Sequence, residues 1–461
     1  MRVKSRCEGL ESAPQRPKEG AWAKAIRLFA TKTSALRRAG NRAPRSRTWT
    51  ATTRIRPTQT RTTQTRTRTT RTRRALARCI EPVEADRFLD EHWERRPLLV
   101  PRDEEGRFDD LLSQAETERL LASTGLRYPA FRIVKAGERL GVGDYTRDIP
   151  WRPTAFTGTV DVERAAAEFE RGATLVLQAL HLHHAPLAEF CRQLESELDH
   201  PVQANAYYTP RAAQGLPVHH DTHDVLCLQV AGEKRWLVYA PVLDLPLKDQ
   251  RYRPELGAAG ETVLDVVLRP GDTLYLPRGW LHEALTSETD SLHLTIGVNV
   301  YTRLDAVRAA LEECAREEVE LRRSVSDDEL PADDLLELLA ARLGPEDVER
   351  RRRSRLVDSR RPIRHDQFDQ QRALERLDAD TPLERRETVL FDLARNGENI
   401  ELAFERRRVS FPAHAAPELE AAAEADGPFT AAALPGDLDE DGRLVLVRRL
   451  VCEGFLRVSD V

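Results

Sequence analysis

The sequence has little of several features that mark common classes of protein. Its 461 residues contain no run of about 18 uncharged apolar residues, the length that a membrane helix needs, and the N-terminal region has no apolar signal-peptide core. The six cysteines are scattered and form no CxxC pair, which excludes a zinc ribbon and argues against a disulfide scaffold. These absences predict a cytoplasmic protein with reduced thiols and no membrane segment.

Methionine is also scarce, because Met1 is the only one. Residues 1–75 hold 21 Lys/Arg against 3 Asp/Glu, whereas residues 76–461 hold 50 against 73. The run from Thr48 to Arg74 is mostly Thr, Arg and Gln, a composition that cannot bury enough apolar surface to fold. Residues 1–78 are therefore predicted to be a disordered basic tail. It could be an arm that binds nucleic acid, a transit peptide, or the product of a start site chosen too early.

Residues 200–301 consist of short apolar runs separated by Gly/Pro turns. They include VLCLQV and KRWLVYA on either side of AGE, TVLDVVL and TLYLP on either side of RPGD, and SLHLTIGVNV. A three-residue loop with Gly between two apolar runs predicts a hairpin, and runs that are apolar on both faces are typical of a closed double sheet or barrel. Upstream, Phe88–Val100 predicts a helix that stops before Pro97, then a strand, and Pro186 opens another helix.

Downstream of this region the pattern becomes helical, from Leu304 to about Leu343. The helices are amphipathic and need a partner surface. The charged stretches ERRRRSR and SRRPIRHDQFDQQR predict an exposed face or loop. In residues 380–461, TPLERRETVLFDLARNG predicts a helix with a Gly stop and LAFERRRVSF a hairpin. The last elements are predicted as helix, helix and strand, an order that fits a winged helix: Phe429–Pro435, Leu444–Leu450 and Gly454–Val458.

The densest chemical signal is GLPVHHDTHD, residues 215–224. His219 and Asp221 are two residues apart, so on an extended strand both side chains point to one face and could reach one metal. LPRGWLHEA supplies His282 after a Pro-Gly-Asp turn. Two histidines and one carboxylate form a facial triad that leaves three positions open on an octahedral iron(II).

Other histidines complicate this reading, since HxD patterns also arise by chance. His220 and His223 crowd the same loop. The cluster HLHH at residues 181–184 follows an apolar run, and such histidines are more often surface or core-edge residues than ligands. His293 lies in the SLHLT strand and is predicted to be a packed barrel histidine.

Several motifs in order resemble the JmjC-type cupins of the ribosomal oxygenase group. They are FLDEHWERRPLLV, QANAYYTP, GLPVHHDTHDVLCLQVAGEKRW, PRGWLHEA and SLHLTIGV, and the resemblance continues through the helical segment to the C-terminal winged helix. It covers roughly residues 80–461. It implies an α+β chain with a double-stranded β-helix: a JmjC cupin domain over 79–301, a helical dimerisation segment over 302–375, and a winged-helix-like domain over 376–461.

The resemblance also assigns roles to residues. His219, Asp221 and His282 match the iron ligands, and Lys234 matches the basic residue that pairs with the far carboxylate of 2-oxoglutarate. The pocket residues near the metal and the co-substrate match Asn205 and Tyr207, and Thr295 stands where a small hydroxyl residue lines the barrel. The chain departs from the family at His220, where Tyr is frequent, and at Val218, where Pro is common.

The activity that the resemblance implies is an iron(II)- and 2-oxoglutarate-dependent dioxygenase, with O₂ as the other co-substrate. It would hydroxylate a histidine or arginine of a basic ribosomal protein, to which the acidic body would be attracted. A methyl-lysine demethylase uses the same chemistry. The rival classes are a cupin isomerase, against which Lys234 argues, and a non-catalytic winged-helix nucleic-acid binder. Residues 380–461 hold 10 basic and 17 acidic groups, the wrong sign for binding phosphates.

Overall fold

The fold is described by a computed structural model that covers residues 74–324, 332–364 and 366–459. The first helix, α1 (Arg74–Ile80), buries Leu76, Cys79 and Ile80. It crosses the predicted boundary at residue 78, so the end of the predicted tail belongs to the folded part. The rest of that tail lies outside the described residues. Within the described ranges, no helix has the length and apolar character that crossing a membrane would require.

The first half of the described chain alternates short helices and strands. Its helix of residues 185–198 has a proline in its first turn, as predicted. The elements in chain order are α1, α2 (Ala85–Glu91), β1 (Leu98–Val100), α3 (Gln114–Ser123), β2 (Phe131–Val134), β3 (Thr146–Ile149), β4 (Phe156–Val160), α4 (Val162–Glu170), β5 (Thr174–Leu177) and α5 (Ala185–Leu198).

The apolar runs after α5 form the strands of two sheets, which confirms the predicted double sheet. The larger sheet has the order β1-β10-β7-β12-β6-β5-β2, and a second sheet has the order β11-β8-β9. Their remaining strands are β6 (Val202–Thr209), β7 (Asp224–Ala231), β8 (Lys234–Tyr239), β9 (Thr262–Leu268), β10 (Thr273–Leu276), β11 (Leu281–Leu285) and β12 (Ser291–Val298).

The hairpin predicted across the AGE loop is wrong. Strand β7 pairs with β10 and β12, whereas β8 pairs with β9 and β11. The AGE and RPGD loops therefore carry the chain from one sheet to the other instead of joining partners. At the first loop Gly232 has φ +61°, and a Cβ there would lie 1.7 Å from the carbonyl oxygen of Asp290. Only glycine fits this close approach.

Two apolar layers hold the double sheet together. One face of the larger sheet packs under helices α1, α2 and α5, where Phe88, Leu187 and Phe190 are buried. A smaller layer that includes Val225, Trp236 and Leu276 draws on strands of both sheets. Because β6 alternates sides, its residues divide between the helix-covered face and the interior between the sheets.

The helical segment after β12 contains α6 (Arg303–Glu317), α7 (Ala332–Ala340), α8 (Pro345–Ser359) and α9 (Gln367–Ala373). The prediction of helices at 304–343 is confirmed, but the charged run after it is a helix, not an exposed loop. Its arginines point inward: Arg351 pairs with Glu313 of α6 at 2.6 Å, and Arg353 pairs with Asp392 at 2.7 Å. The Arg351 side chain is buried and that of Arg353 is half-buried, and the two ion pairs join α8 to α6 and to the segment of Asp392.

The C-terminal unit differs from the prediction in its first element. The segment predicted as one helix forms two strands instead. The second of them pairs with the strand that follows it, with Leu393 opposite Leu402. The predicted hairpin is confirmed, whereas residues 429–435 contain only a short 3-10 turn. The elements are β13 (Leu383–Arg385), β14 (Phe391–Asn396), β15 (Asn399–Phe404), β16 (Arg407–Pro412), α10 (Ala416–Glu424), α11 (Glu440–Glu453) and β17 (Leu456–Val458). The winged-helix assignment stays a prediction.

Arg360, just after α8, makes the most buried of these contacts. Its side chain is fully enclosed and pairs with Glu195 of α5 at 2.9 Å. It also donates to the Arg192 carbonyl at 2.9 Å and to the Thr388 carbonyl at 2.5 Å. We expect Arg360→Met to lower the free energy of unfolding by about 3–5 kcal/mol, because it removes the nearer of two cations from the buried Glu195 carboxylate and leaves only Arg192, at 3.5 Å. Thermal unfolding should show a fall in Tm of roughly 5 °C or more.

Arg372 provides the matched control for this measurement. It pairs with Asp369 at 2.6 Å, but both side chains are exposed. Exposed pairs contribute little, so Arg372→Met should leave the Tm almost unchanged. Equal shifts in the two variants would show that the contacts of Arg360 do not hold the C-terminal unit against the double sheet.

Candidate metal centre and adjoining pocket

The two histidines of the predicted triad are joined directly through their backbones. The His219 amide donates to the His282 carbonyl at 3.1 Å, and the His282 amide donates to the His219 carbonyl at 2.8 Å. His282 lies in β11, so this bridge attaches the segment of His219 to the edge of the smaller sheet. The Gly279 amide then donates to the Asp221 carbonyl at 3.0 Å, which fixes the third residue beside the other two.

The chain leaves the centre through a bend at Thr222 and His223 and enters β7 of the larger sheet. A straight strand could not do this, because ten extended residues would span about 30 Å. The bend needs space: a Cβ on Gly297 would lie 2.3 Å from the His223 ring. At its far end the Asp224 carboxylate accepts from the Tyr275 hydroxyl at 2.8 Å. Both ends of the ligand segment are therefore anchored.

The three side chains converge on one point. One potential ligand atom of each lies within 4.8 Å of the others. The Nδ1 atom of His219 is 2.8 Å from the Pro217 carbonyl, and that of His282 is 3.0 Å from the Trp280 carbonyl. A ring nitrogen beside a carbonyl oxygen must be the donor, so Nε2 of each histidine keeps its lone pair for a metal.

The electrostatics of the centre favour the protonation states that bind a metal. Burial lowers the pKa of His282 to about 4, so at neutral pH this ring is uncharged. Burial by itself would raise the pKa of Asp221, but electrostatic interaction with the surrounding imidazoles, that of His223 first, outweighs it and lowers that pKa. Two imidazoles and a carboxylate are the donor set that suits iron(II).

A cavity opens beside this centre, between the two sheets. Lys234, the first residue of β8, lies at its wall with its Nζ 2.9 Å from the Thr209 hydroxyl. Burial lowers the pKa of Lys234 to about 7. Within the described ranges, no carboxylate lies within ion-pair distance of its ammonium group. An unpaired buried lysine is unusual, and it indicates that the pocket takes an anion.

The remaining predicted residues divide into two groups. Tyr207 and Thr295 line the cavity together with the triad and Lys234. Asn205 is not among the lining residues, because its Oδ1 accepts from the Ala179 amide at 2.8 Å and so supports the chain after β5. Its assignment to the co-substrate pocket stays a prediction.

The competing histidines have other partners. His181 accepts from the Ala204 amide at 3.2 Å, and a ring nitrogen of His184 is 3.0 Å from the Leu111 carbonyl. His220 faces away from the triad, with Nε2 3.0 Å from the Gln250 carbonyl. Within the part of the chain that the structure describes, the predicted triad is the one group of three or more such side chains close enough to share a metal.

Several residues that line the pocket were not predicted from the sequence, among them a histidine and a tryptophan. His293, expected to be a packed barrel residue, and Trp236 both line the cavity. Their rings lie 5.5 Å apart, and neither His293 Nδ1 nor Trp236 Nε1 has a hydrogen-bond partner. The pocket position of Trp236 could have been predicted, because residues two apart on a strand share a face and Lys234 was already predicted to lie in the pocket.

Comparisons with known proteins agree with this geometry. The model of the JmjC domain family matches residues 177–305. The bifunctional lysine-specific demethylase and histidyl-hydroxylase NO66 of Drosophila persimilis is 32% identical over 227 residues, which are 48% of this chain and 31% of that protein. Ribosomal oxygenase 2 of Rattus norvegicus is 31% identical over 271 residues, 55% of this chain and 56% of that protein.

Among solved structures, the fold is similar to that of the Escherichia coli ribosomal oxygenase YcfD. The TM-score is 0.51 at 20% identity, and the match covers 82% of this chain and 98% of that one. A structure of YcfD in complex with cobalt and 2-oxoglutarate matches with a TM-score of 0.50 at 20% identity, over 81% of this chain and 98% of that one. At this identity the likeness establishes the fold.

Residues 177–305 are thus a JmjC domain, a double-stranded β-helix whose two-histidine, one-carboxylate centre lies between its sheets. The chain's homologues include NO66 and the ribosomal oxygenases, which confirms the resemblance seen in the motifs. The chain spans about a third to somewhat over half of the length of these curated relatives.

The centre makes a direct prediction about metal binding. Cobalt(II) added to the purified protein should bind with one-to-one stoichiometry and give visible absorption bands. His219→Ala should weaken binding by more than the about 10–100-fold that loss of an outer-shell partner costs. His183→Ala, an exposed histidine outside the centre, is the control and should bind like the wild type. Undiminished binding to the His219 variant would contradict the assignment.

Proposed function

We propose that this protein is an iron(II)- and 2-oxoglutarate-dependent dioxygenase that hydroxylates a histidine or arginine side chain of a ribosomal protein. One observation carries the proposal: a facial triad shares its pocket with a buried lysine that has no carboxylate partner among the described residues. The triad suits iron with open positions. The lysine suits an anion that reaches from the metal to the pocket wall.

The pocket fits 2-oxoglutarate in charge and in polarity. A buried carboxylate is costly unless a cation and hydrogen bonds compensate it. Lys234 supplies the cation, and the Thr209 and Thr174 hydroxyls, 3.1 Å apart, extend the polar wall beside it. Binding of the dianion would favour the charged form of Lys234 against the burial that lowers its pKa.

The chemistry divides between the metal and the chain. When bound, iron(II) lets O₂ convert 2-oxoglutarate to succinate and CO₂ while the second oxygen atom enters a C–H bond of the substrate. His219, Asp221 and His282 would hold the metal and leave coordination positions open for other ligands. Lys234 fixes the far end of the co-substrate. Trp236 and His293 line the interior and exclude water from the reacting atoms.

The names of the relatives support both the class of reaction and the class of substrate. NO66 is named as a histidyl-hydroxylase and a lysine-specific demethylase, and other relatives are named ribosomal oxygenases. That bifunctional name favours demethylation of methyl-lysine as the second candidate, since both reactions begin with oxidation of a C–H bond. YcfD, with the same fold, binds cobalt and 2-oxoglutarate.

The charge and the thiols of the chain suit such a role. Residues 76–461 hold 50 basic and 73 acidic groups, so the body would attract a basic ribosomal protein electrostatically. The five described cysteines are unpaired, as expected in the reducing cytoplasm that we propose. The net negative charge of residues 380–461 disfavours nucleic acid as a partner of that unit, and any binding of nucleic acid is assigned to residues 1–78.

Mass spectrometry of ribosomal proteins tests this function. We expect one protein from cells that carry the gene to be heavier by the mass of one oxygen atom than the same protein from cells without it. Restoring the gene should restore the mass, whereas restoring an Asp221→Ala form should not. Identical spectra would refute the proposal, and a difference equal to methyl groups would favour the demethylase.

Lys234 gives a second test that needs no protein substrate. Lys234→Met should weaken binding of 2-oxoglutarate to the cobalt-loaded protein by about 10–100-fold, the effect of losing one charge-assisted hydrogen bond. Calorimetry measures it directly. Arg235→Met is the matched control, because Arg235 is the next residue, is exposed, and pairs with Asp265 at 2.5 Å. A co-substrate affinity unchanged in the Lys234 variant would remove Lys234 from the pocket.

We also propose that helices α6 and α7 mediate a homodimer. Val307 and Leu311, one turn apart on α6, are each 39% exposed, and Leu336 of α7 is 64% exposed. Light scattering should report a dimer, and Val307→Glu with Leu311→Glu should yield a monomer with unchanged helix content. Val445→Glu, an equally apolar exposed position on α11, should leave the dimer intact. A monomeric wild type would contradict the proposal.

A further inference from the structure

An arginine that the mechanism does not use lies beside the metal centre. Arg132 is on β2, the edge strand of the larger sheet, where it is paired with Val176 of β5. Val176 is in turn paired with Tyr207 of β6. Directly paired residues on neighbouring strands project to the same face, so Arg132 and Tyr207 share the interior face. Val134, two residues along β2, lines the cavity.

The contacts of Arg132 lead toward the triad. Its Nε donates to the Gln178 side chain at 3.0 Å, and its guanidinium favours the ionised form of Tyr207. Burial outweighs this effect and raises the pKa of Tyr207 to about 12. The negative charge of Asp221 also raises the pKa of Tyr207. Tyr207 therefore links the guanidinium to the metal ligand electrostatically.

No carboxylate within the described ranges is ion-paired with Arg132, and its charge is therefore not neutralised locally. The other charges of the site cancel once iron and co-substrate are counted. Asp221 offsets Lys234, and the two charges of iron(II) offset those of 2-oxoglutarate. The guanidinium then leaves a net charge of about one positive unit on the interior face that Arg132 shares with the pocket residues Val134 and Tyr207.

We propose that Arg132 is a specificity-determining residue: it admits an uncharged side chain, such as neutral histidine, and rejects a cationic one. This inference rests on the proposed function. An imidazole nitrogen or a peptide carbonyl can accept from the guanidinium N–H groups that Gln178 leaves free. A substrate arginine offers only donors and a like charge, and like-charge contact is a common means of excluding a competing ligand.

Three variants test whether Arg132 selects the substrate side chain or only holds Gln178 in place through their hydrogen bond. Arg132→Gln removes the charge but keeps a polar group, whereas Arg132→Lys keeps the charge and loses the planar fork. Arg127→Gln is the control, because the Arg127 guanidinium lies over the exposed Phe156 ring, 4.6 Å from its centroid. Calorimetry of 2-oxoglutarate with the cobalt-loaded full chain reports whether each variant keeps its pocket.

The test incubates each iron-loaded full-length form with 2-oxoglutarate and acid-extracted ribosomal proteins, and maps every added oxygen by mass spectrometry. We expect the wild type, Arg127→Gln and Arg132→Lys to modify histidine and not arginine. Arg132→Gln should add oxygen to arginine as well, with a histidine-to-arginine product ratio that is lower by about tenfold or more. Its affinity for 2-oxoglutarate should stay within about twofold of the wild type, since Arg132 does not line the co-substrate wall.

Two outcomes would overturn the inference while leaving the proposed function intact: arginine products from the wild type, or an Arg132→Gln product ratio equal to that of the wild type. If Arg132→Gln loses affinity for 2-oxoglutarate as well as selectivity, Arg132 supports the pocket and does not select the substrate. If the wild type neither binds 2-oxoglutarate nor forms product, the proposed function itself fails, and the inference fails with it.

Discussion

Two backbone hydrogen bonds between His219 and His282 hold the candidate metal centre in place. They attach the segment before Asp221 to β11 of the smaller sheet, and the bend after Asp221 carries the same segment into β7 of the larger sheet. The centre therefore lies where the chain crosses between the sheets. Any change that slid one sheet past the other would pull the triad apart.

Buried charges secure the far side of that crossing. The Asp224 carboxylate accepts from Tyr275 and from Arg278, and Arg278 also pairs with Glu94 in the segment between α2 and β1. Burial raises the pKa of Asp224 to about 6, yet the carboxylate is anchored by a phenol and a guanidinium. The N-terminal motif thus contributes to the site through a chain of contacts that ends three residues beyond Asp221.

The pocket departs from the usual rule that a buried cation has an anion beside it. Arg351 and Arg360 obey that rule, because each meets a glutamate. Lys234 meets a hydroxyl, and Arg132 an amide. The contrast separates arginines that hold the helical segment together from Lys234 and Arg132, which have no carboxylate partner among the described residues.

The sequence could predict the triad because its chemistry is local: an HxD step on extended chain and a histidine on a later strand. It could predict the double sheet from runs that are apolar on both faces. It could not predict how strands pair, because a three-residue loop fits a hairpin and a crossing equally well. Gly232 marks the crossing, but only the nearby Asp290 carbonyl reveals why glycine is needed there.

Contacts between residues that are far apart in the sequence explain the other wrong predictions. In the sequence, the arginines of α8 resemble an exposed charged run. In the structure Glu313 and Asp392, both distant in sequence, each pair with one of these arginines. Residues 381–397 contain good helix formers, but pairing of β14 with β15 overrides that local preference. The pocket role of His293 was missed for the same reason, since a buried histidine in a strand shows its unpartnered nitrogen only in three dimensions.

The central claim is that one pocket holds both iron(II) and 2-oxoglutarate, with the co-substrate bound to the metal. Anaerobic visible spectroscopy tests it most directly. Iron(II) and 2-oxoglutarate added together to the wild-type protein should produce a weak metal-to-ligand charge-transfer band that neither produces alone. The band should vanish in Asp221→Ala. If the two together give no band with protein that binds cobalt(II), the metal and the co-substrate do not share this site and the account is wrong.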